Sequence, residues 1–212
     1  MQTIKFQNEE DWKEFRKGRI GGTRTHGVKP KSVGKYGVEF YELLAERVSI
    51  PEEAENPMTR GNRLEDVAVQ AFIEATKEEL GYEYNEPEKV VWVSDIDDRI
   101  YVSPDKVIDK ETAIEVKCLK AAHHLCAHFT KDYPHTDPAT PKYKSQARKY
   151  FAVNTDLQTL WVVFYNPSVP TASLVYFKVT REDVQKDAEA ILLNEQTVLA
   201  EIDRLEALLN PF

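Results

Sequence analysis

Two acidic residues and one lysine fall within runs of the chain that are rich in valine and isoleucine. Asp105 lies in "YVSPDKVID", and Glu115 and Lys117 lie in "TAIEVKCL", with nine residues between the two carboxylates. Charged side chains are costly to bury unless they are paired or bind a metal ion. Their positions therefore indicate chemistry on two neighbouring strands.

The second of these runs alternates in the way typical of a β-strand. Alternation places Ile114 and Val116 on one face, and places Glu115 and Lys117 on the other face, about 7 Å apart along the strand. A short polar turn, "DKE", joins this strand to the one that carries Asp105. The two carboxylates can therefore converge on one side of a hairpin.

Two carboxylates held close together repel each other unless a cation lies between them. Oxygen ligands alone suit Mg²⁺, with Mn²⁺ as a substitute, rather than zinc. Beside such a metal ion, Lys117 would orient a water molecule and neutralise the charge that develops at a phosphate. The alternative is an exposed hairpin with ordinary salt bridges on a solvated face.

Two predicted helices carry further polar side chains at the edge of a buried surface. Glu65 lies about 20° from Phe72 around its helix, at the border of the apolar stripe, where it can reach a metal site. Gln146 shares a helix face with Tyr143 and Tyr150, and a buried amide needs hydrogen-bond partners such as the lysine, a ligand carboxylate or a phosphate. A rim glutamate paired with a nearby cation and a glutamine bonded to backbone remain as alternatives.

The basic residues are distributed unevenly along an acidic chain. A net charge of −8 argues against a protein that coats nucleic acid over its whole surface. Yet residues 15–38 hold seven basic and no acidic residues, with six of the eight glycines, and residues 138–155 are also free of acidic side chains. Glycines let backbone N–H groups approach a phosphate and arginines bind it in a bidentate manner, so the first window suits an anion. A flexible loop with solvated lysines is the alternative.

Hydrophobic periodicity and turn residues predict the order of the elements. The predicted helices cover 11–17, 38–48, 59–81, 120–129, 142–153 and 180–209. The predicted strands cover 89–95, 99–109, 112–119, 159–167 and 173–179. This order is typical of one α/β domain, residues 1–212, in which helices flank a mixed sheet.

The last predicted helix begins after Thr180, a good N-cap residue, and its apolar stripe from Val184 to Leu205 is expected to pack on the core or contact a partner. The chain has no apolar run long enough to span a membrane and no apolar signal core at its N-terminus, so a cytosolic protein is expected. Two cysteines, Cys118 and Cys126, exclude a disulfide framework and a four-cysteine metal site.

Three histidines offer a rival metal site. His124 and His128 are four residues apart on a predicted helix, with His123 adjacent, and this spacing can hold zinc. The glutamate of the HExxH pattern is absent from this stretch. These histidines are therefore expected to line a DNA-facing surface or to pack against the core.

With these residues in view, the chain resembles the phage lambda exonuclease and YqaJ-type viral recombinase family of PD-(D/E)XK nucleases. Four blocks carry the resemblance in the order of that family: "FRKGRIGGT", "RGNRLED", "SPDKVID…AIEVKC" and "YKSQARKYFAV…LWVVFYNP". The resemblance implies a restriction-endonuclease-like core. It also implies Mg²⁺-dependent digestion of linear double-stranded DNA from a 5′-phosphorylated end, 5′ to 3′, which releases mononucleotides and leaves a 3′ single-stranded tail for recombination.

The resemblance further implies roles for the residues around the hairpin. Asp105 and Glu115 would be direct metal ligands, and the Val116 carbonyl would be a third. Glu65 would support the metal site from its helix. Lys117 would be the catalytic lysine that positions or activates the attacking water.

Other roles follow from the same resemblance. Gln146 would complete the site. Arg16 and Thr23 would bind the terminal 5′ phosphate, and Thr23 keeps a hydroxyl where the family commonly has serine. Arg19 and Arg24 would add DNA contacts, although family members often carry a small or acidic residue at the position of Arg24.

The partners implied by the resemblance are double-stranded DNA ends, a single-strand annealing protein and further copies of the chain in a trimeric ring, in the cytoplasm of a bacterium that hosts a phage or prophage. One alternative is another nuclease of the superfamily, either an endonuclease or a single-strand exonuclease. The others are a non-catalytic protein that binds DNA ends and a purely structural α/β domain.

Overall fold

The computed structural model describes residues 6–20, 24, 36–52, 56–85, 90–130 and 141–209. The helices of this part of the chain are α1 (Glu9–Arg16), α2 (Val38–Val48), α3 (Pro57–Leu80), α4 (Ala121–Thr130), α5 (Pro141–Val153) and α6 (Arg181–Leu209). Its strands are β1 (Trp92–Val93), β2 (Tyr101–Val102), β3 (Lys106–Val107), β4 (Thr112–Lys117), β5 (Thr159–Tyr165) and β6 (Leu174–Thr180). Within it, no helix combines the length and apolar character needed to cross a membrane.

The main sheet has four strands in the order β3-β4-β5-β6. β4 and β5 run parallel, from Thr112 opposite Thr159 to Lys117 opposite Phe164. The two outer strands run antiparallel to their neighbours, and β1 and β2 form a separate two-stranded sheet. The connection between the parallel strands contains α4 and α5, as a parallel crossover requires. The predicted mixed sheet flanked by helices is confirmed.

The strand predicted over 99–109 is wrong as a single element, because the chain leaves one sheet and enters another within it. β2 pairs with β1, whereas β3 pairs with β4. The break falls at Pro104, which has no N–H to donate to a ladder. Immediately afterwards, the Asp105 N–H donates to the Ile114 carbonyl at 3.1 Å, so Asp105 enters the predicted hairpin with β4.

Helix α3 covers one face of the main sheet. It begins at Asn56, whose side chain accepts a hydrogen bond from the Met58 N–H at 2.8 Å, and it ends at Gly81, which has a φ of 59°. Glycine adopts this left-handed conformation without steric cost, which explains the predicted stop. On the sheet side, Phe72 joins a buried cluster with Ile114 and with other residues of β4 and β5.

Helices α5 and α6 pack against the opposite face of the sheet. The predicted cap of α6 is confirmed, since the Thr180 hydroxyl oxygen accepts from the Asp183 N–H at 3.4 Å and the Asp183 carboxylate accepts in turn from the Thr180 N–H at 3.0 Å. At the C-terminal end of the predicted stripe, Ile202 and Leu205 are exposed, so this end does not pack on the core. Residues 201–209 are all exposed, and the contact with a partner stays a prediction for them.

Candidate active site

Glu115 and Lys117 lie on the face of β4 that α5 covers, opposite to Ile114 and Val116, as the alternation predicted. This face is not solvated. Glu115 is only 4% exposed, and the side chain of Lys117 is 17% exposed. The alternative of an exposed hairpin with ordinary surface salt bridges is therefore wrong.

Donors surround both carboxylate oxygens of Glu115. Oε1 accepts from Gln146 Nε2 at 2.7 Å and from the Lys117 ammonium. Oε2 accepts from the Tyr150 hydroxyl, which also lies 2.7 Å from the Ser103 carbonyl oxygen. Gln146 thus contacts a predicted ligand carboxylate, which was one of the partners expected for it. The contact between Tyr150 and Glu115 was missed, although Tyr150 follows Gln146 by four residues on the same helix face.

Asp105 lies next to Glu115, as the hairpin predicted. Its Oδ2 accepts a hydrogen bond from the Val116 N–H at 2.6 Å. Burial, together with the nearby Glu115 carboxylate, raises the pKa of Asp105 to about 8, and Glu65 contributes in the same direction. The structure therefore brings two carboxylates together in a largely buried site, with a third close enough to act electrostatically on Asp105.

Lys117 carries the balancing positive charge. Burial lowers the pKa of its ammonium, but the Glu115 and Asp105 carboxylates outweigh this effect and hold the pKa above its ordinary value. Nζ also lies 5.2 Å from the centroid of the Tyr143 ring, within the range of a cation–π interaction. Lys117 is therefore a cation in this site, suited to holding a water molecule or a phosphate rather than to accepting a proton.

The carboxylate oxygens of Asp105 and Glu115 suit a hard divalent cation as ligands. In the described part of the chain, no group of three or more histidine, cysteine, aspartate or glutamate side chains is arranged to hold a metal ion. Mg²⁺ does not need such a cage, because it is commonly bound by one or two carboxylates with waters and substrate phosphates. Asp105 and Glu115 fit this pattern. The roles of Glu65 and the Val116 carbonyl stay predictions.

The histidines of α4 do not form the rival zinc site within the described residues. His124 is fully buried, and its Nε2 lies 2.6 Å from the Ala172 carbonyl oxygen. His128 packs edge-on against the Phe129 ring. The prediction that these histidines pack against the core is confirmed for His124.

Arg16, assigned to the 5′ phosphate, and Arg19 and Arg24, assigned to further DNA contacts, line one cavity of about 450 Å³. Thr23 lies outside the described residues, so its assignment stays a prediction. Among the described residues that line this cavity, the acidic one is Glu46, which accepts from Arg24 Nη1 and from the Gly18 N–H, each at 2.8 Å.

The side chains of this cavity are pre-arranged by local contacts. Gly18 has a φ of 64°, which favours glycine at this turn after α1. The guanidinium of Arg16 lies 4.4 Å from the Trp12 ring centroid, and that of Arg19 lies 4.2 Å from the Phe15 centroid. Stacking restricts both arginines, so a phosphate would meet partly ordered cations.

Comparison with known proteins identifies the family. Residues 11–158, more than half of the chain, match the YqaJ-like viral recombinase domain. No curated protein matches the chain. Among solved structures, the alkaline exonuclease LHK-Exo from Laribacter hongkongensis is similar, with 19% identity, a TM-score of 0.50, and coverage of 94% of this chain and 99% of that one.

The structure of LHK-Exo in complex with dAMP gives 21% identity and a TM-score of 0.52 over the same shares of the two chains. At these identities the likeness shows the fold, which is restriction-endonuclease-like as predicted. Together, the family match and the fold support a nuclease that hydrolyses phosphodiester bonds of DNA. The chain therefore belongs to the YqaJ-like viral recombinase family.

Proposed function

We propose that the protein is a Mg²⁺-dependent exonuclease that digests linear double-stranded DNA from its 5′ ends and leaves 3′ single-stranded tails. The observation that carries this proposal is the group of Asp105, Glu115 and Lys117 at two paired strands, in which Glu115 is buried and the other two are partly buried. A structural α/β domain has no use for two carboxylates and a lysine brought together away from water, because such groups are costly to bury.

Asp105 and Glu115 would hold Mg²⁺, with the Val116 carbonyl as a further ligand and Glu65 in support. The metal ion, when bound, supplies Lewis-acid stabilisation of the charge that develops on the phosphate and the leaving oxygen. The raised pKa of Asp105 supports this assignment, since it reflects burial first and the Glu115 charge second, and a divalent cation would offset both effects on the ionised carboxylate.

Lys117 would position the attacking water. Its ammonium is paired with Glu115. It would also donate hydrogen bonds to the water and to a phosphate oxygen. Gln146 and Tyr150 donate to Glu115 from α5 and would hold this carboxylate in the orientation that binds the metal ion.

The cavity beside α1 would bind the terminal 5′ phosphate and so set the polarity of digestion. Arg16 and Arg19 present guanidinium groups there, and Arg24 would exchange its partner Glu46 for the phosphate. Thr23 would add a hydroxyl donor. Because phosphate contacts carry no sequence information, digestion would be independent of sequence.

The proposal extends to the product and the partners. LHK-Exo has been solved with dAMP, a mononucleotide, which supports the release of mononucleotides by the present chain. The 3′ tail would be passed to a single-strand annealing protein during recombination of phage or prophage DNA in the host cytoplasm. A trimeric ring around the DNA would keep the enzyme on its substrate.

The test compares three DNA substrates: a linear duplex with 5′ phosphates, the same duplex with 5′ hydroxyls, and a covalently closed circle. With Mg²⁺, the first is expected to be digested fastest and the circle to survive, and chelation by EDTA should stop digestion. A label at the 5′ terminus should appear at once as a mononucleotide, whereas a 3′ label should remain in long strands. Cleavage of the circle would indicate an endonuclease, and inactivity with Mg²⁺ and Mn²⁺ would indicate a non-catalytic protein that binds DNA ends.

A further inference from the structure

A group of polar side chains surrounds the backbone just after Lys117, outside the candidate active site. It consists of Glu52, Arg60 and Asn166. Asn166 is fully buried, and its Nδ2 donates to the Leu119 carbonyl at 2.9 Å and to Glu52 Oε1 at 2.7 Å. Its Oδ1 accepts from the Ser168 N–H at 2.8 Å. The amide nitrogen and the amide oxygen of Asn166 thus both have hydrogen-bond partners. One partner is the carbonyl of Leu119, two residues after Lys117.

Glu52 is the acceptor at the centre of this group. Besides Asn166, its Oε1 accepts from Arg60 Nη2 at 3.1 Å and from the Ala121 N–H at 3.0 Å. Ala121 is the first residue of α4, so the carboxylate also meets the positive end of that helix. Arg60 Nη2 lies 3.4 Å from the Leu119 carbonyl oxygen as well. Four separate segments of the chain therefore meet at one carboxylate and one guanidinium.

Stability alone explains Arg60 poorly. The residue is 6% exposed, and its Nε is buried with no hydrogen-bond partner among the described residues. A buried ion pair often adds no more stability than apolar residues of the same volume, because both charges must leave water. An arginine held in this way is better explained by the geometry that its contacts impose.

The first consequence concerns α3. Between Pro57 and Asp66, the buried residues of this helix are Arg60 and Leu64, whereas all its other buried residues come later. Glu65 lies in this first part of the helix and acts electrostatically on Asp105. The contacts of Arg60 therefore determine how the N-terminal part of α3, with Glu65, is seated on the sheet.

The second consequence concerns β4. Its parallel ladder with β5 ends where Lys117 lies opposite Phe164. Two residues later, the Leu119 carbonyl is taken by Asn166 and Arg60. Lys117 thus belongs to the last ladder pair, and the polar group that begins two residues later holds the backbone where the strand leaves the sheet.

We propose that Arg60, with Glu52 and Asn166, is a positioning residue that aligns Lys117 and Glu65 with the two metal-binding carboxylates. The inference rests on the proposed function. Arg60 itself contacts neither the metal site nor the substrate, and it acts through α3 and through the backbone that follows β4.

The test substitutes Arg60→Met, which keeps the length of the side chain and removes its charge and donors. Two quantities are measured at a temperature where each variant is folded: the Mg²⁺ concentration for half-maximal cleavage, and the rise in Tm that Mg²⁺ alone produces through linkage. Loss of a residue that orients metal ligands typically weakens metal binding or activity about 10-fold to 100-fold. The Mg²⁺ concentration for half-maximal cleavage is therefore expected to rise by this factor and the Mg²⁺-induced rise in Tm to shrink, with partial recovery in Arg60→Lys, which keeps a charged donor for Glu52.

Arg181→Met is the matched control. Arg181 also donates to backbone carbonyls, to Leu157 at 2.9 Å and to Asn154 at 2.7 Å, but it does so at the start of β5, the opposite end of that strand from Asn166. This variant is expected to melt at a lower temperature while keeping the wild-type Mg²⁺ requirement and the wild-type Mg²⁺-induced rise in Tm.

The inference is overturned if Arg60→Met, like Arg181→Met, melts at a lower temperature but keeps the wild-type Mg²⁺ concentration for half-maximal cleavage and the wild-type Mg²⁺-induced rise in Tm. If Arg60→Met does not fold, Glu52→Gln, which keeps the shape of the acceptor, decides by the same two measurements. If the wild-type protein cleaves no DNA, the proposed function fails and the Mg²⁺-induced rise in Tm alone decides the inference. A wild-type protein that cleaves no DNA and whose Tm does not respond to Mg²⁺ overturns both.

Discussion

The hydroxyl of Tyr150 on α5 donates a hydrogen bond to Glu115 at the centre of the main sheet. Burial and the charge of Glu115 raise the pKa of this phenol far above its ordinary value. Tyr150 therefore keeps its proton at any working pH and remains a donor. With Gln146 one turn earlier, a single helix face fixes both oxygens of the carboxylate.

Replacing Tyr150 by phenylalanine removes this donor and leaves the ring packed in the core. We expect kcat/KM for DNA cleavage at limiting Mg²⁺ to fall about 10-fold to 100-fold, the usual effect of losing a group that orients a metal ligand. Tyr176→Phe is the control, since Tyr176 is a partly exposed ring that packs on Phe72 and Trp161. Wild-type kinetics in Tyr150→Phe would contradict an orienting role for the hydroxyl.

Asp105→Asn is expected to stabilise the metal-free protein at alkaline pH. The pKa of Asp105 is raised from its ordinary 3.8 to about 8 in the native state, mainly by burial and then by Glu115. The native protein therefore keeps a proton that the unfolded chain releases near pH 4, and the stability that this proton provides is lost as the pH rises through 8. Asparagine is neutral at every pH and avoids this loss.

The measurement is Tm in EDTA and in Mg²⁺ at pH 6 and pH 9. Asp105→Asn should melt above the wild type in EDTA at pH 9 and should not respond to Mg²⁺. Asp98→Asn, a change at an exposed aspartate, should leave both values unchanged. If Mg²⁺ raises the Tm of Asp105→Asn as much as that of the wild type, Asp105 is not a ligand of the metal ion.

Acid is expected to destabilise the protein partly through His124. A carbonyl oxygen only accepts, so His124 Nε2 carries the proton that binds Ala172. Burial lowers the pKa of this imidazole; His128 and Arg60 act in the same direction, whereas the Ala172 hydrogen bond and Glu52 oppose it. The unfolded chain takes up a proton near pH 6.5 that the native state resists, so stability falls as the pH drops below about 6.5 toward the folded pKa.

The measurement is the change in Tm between pH 7.5 and pH 5.5. His124→Asn should lose less Tm than the wild type over this range, and an equal loss in the two proteins would contradict this role for His124.

Arg16→Ala should reduce the preference for a 5′ phosphate. A hydrogen bond to a charged group contributes about 1.5–3 kcal/mol, so the preference for phosphorylated over hydroxyl ends should fall at least about 10-fold. Competition between the two duplexes in one reaction measures this ratio. Arg204→Ala removes an exposed arginine of α6 that pairs with Glu201, and it should leave the ratio unchanged. If the ratio is unchanged in Arg16→Ala, the 5′ phosphate binds at another place on the protein.

Local patterns in the sequence predicted the parts of the site that one element determines. Strand alternation separated Glu115 from Val116, and the hairpin turn brought Asp105 to the same side. Helical spacing placed Gln146 on the buried face of α5, where it meets Glu115. Each of these positions depends on neighbours a few residues away, which is why periodicity was sufficient.

Contacts between distant segments could not be predicted in this way. Glu52 and Asn166 meet across more than one hundred residues, and no sequence pattern signals this contact or the one between Glu52 and Arg60. The exposure of Ile202 and Leu205 likewise depends on tertiary packing, which the periodicity of a single helix does not determine. The break at Pro104 did have a signal, because proline cannot continue a ladder on both sides.

The most direct test is the Lys117→Ala variant, assayed in a single turnover with Mg²⁺ and a 5′-phosphorylated linear duplex. It tests whether Asp105, Glu115 and Lys117 perform the cleavage. The control is Lys178→Ala, since Lys178 is an exposed lysine of β6 that also lies over an aromatic ring, 5.5 Å from the Trp161 centroid. Cleavage by Lys117→Ala should fall at least about 100-fold, as for the loss of one preorganised donor at a reacting centre, while DNA binding stays near the wild-type value and Lys178→Ala remains active. Cleavage by Lys117→Ala at the wild-type rate would contradict the assignment of this site.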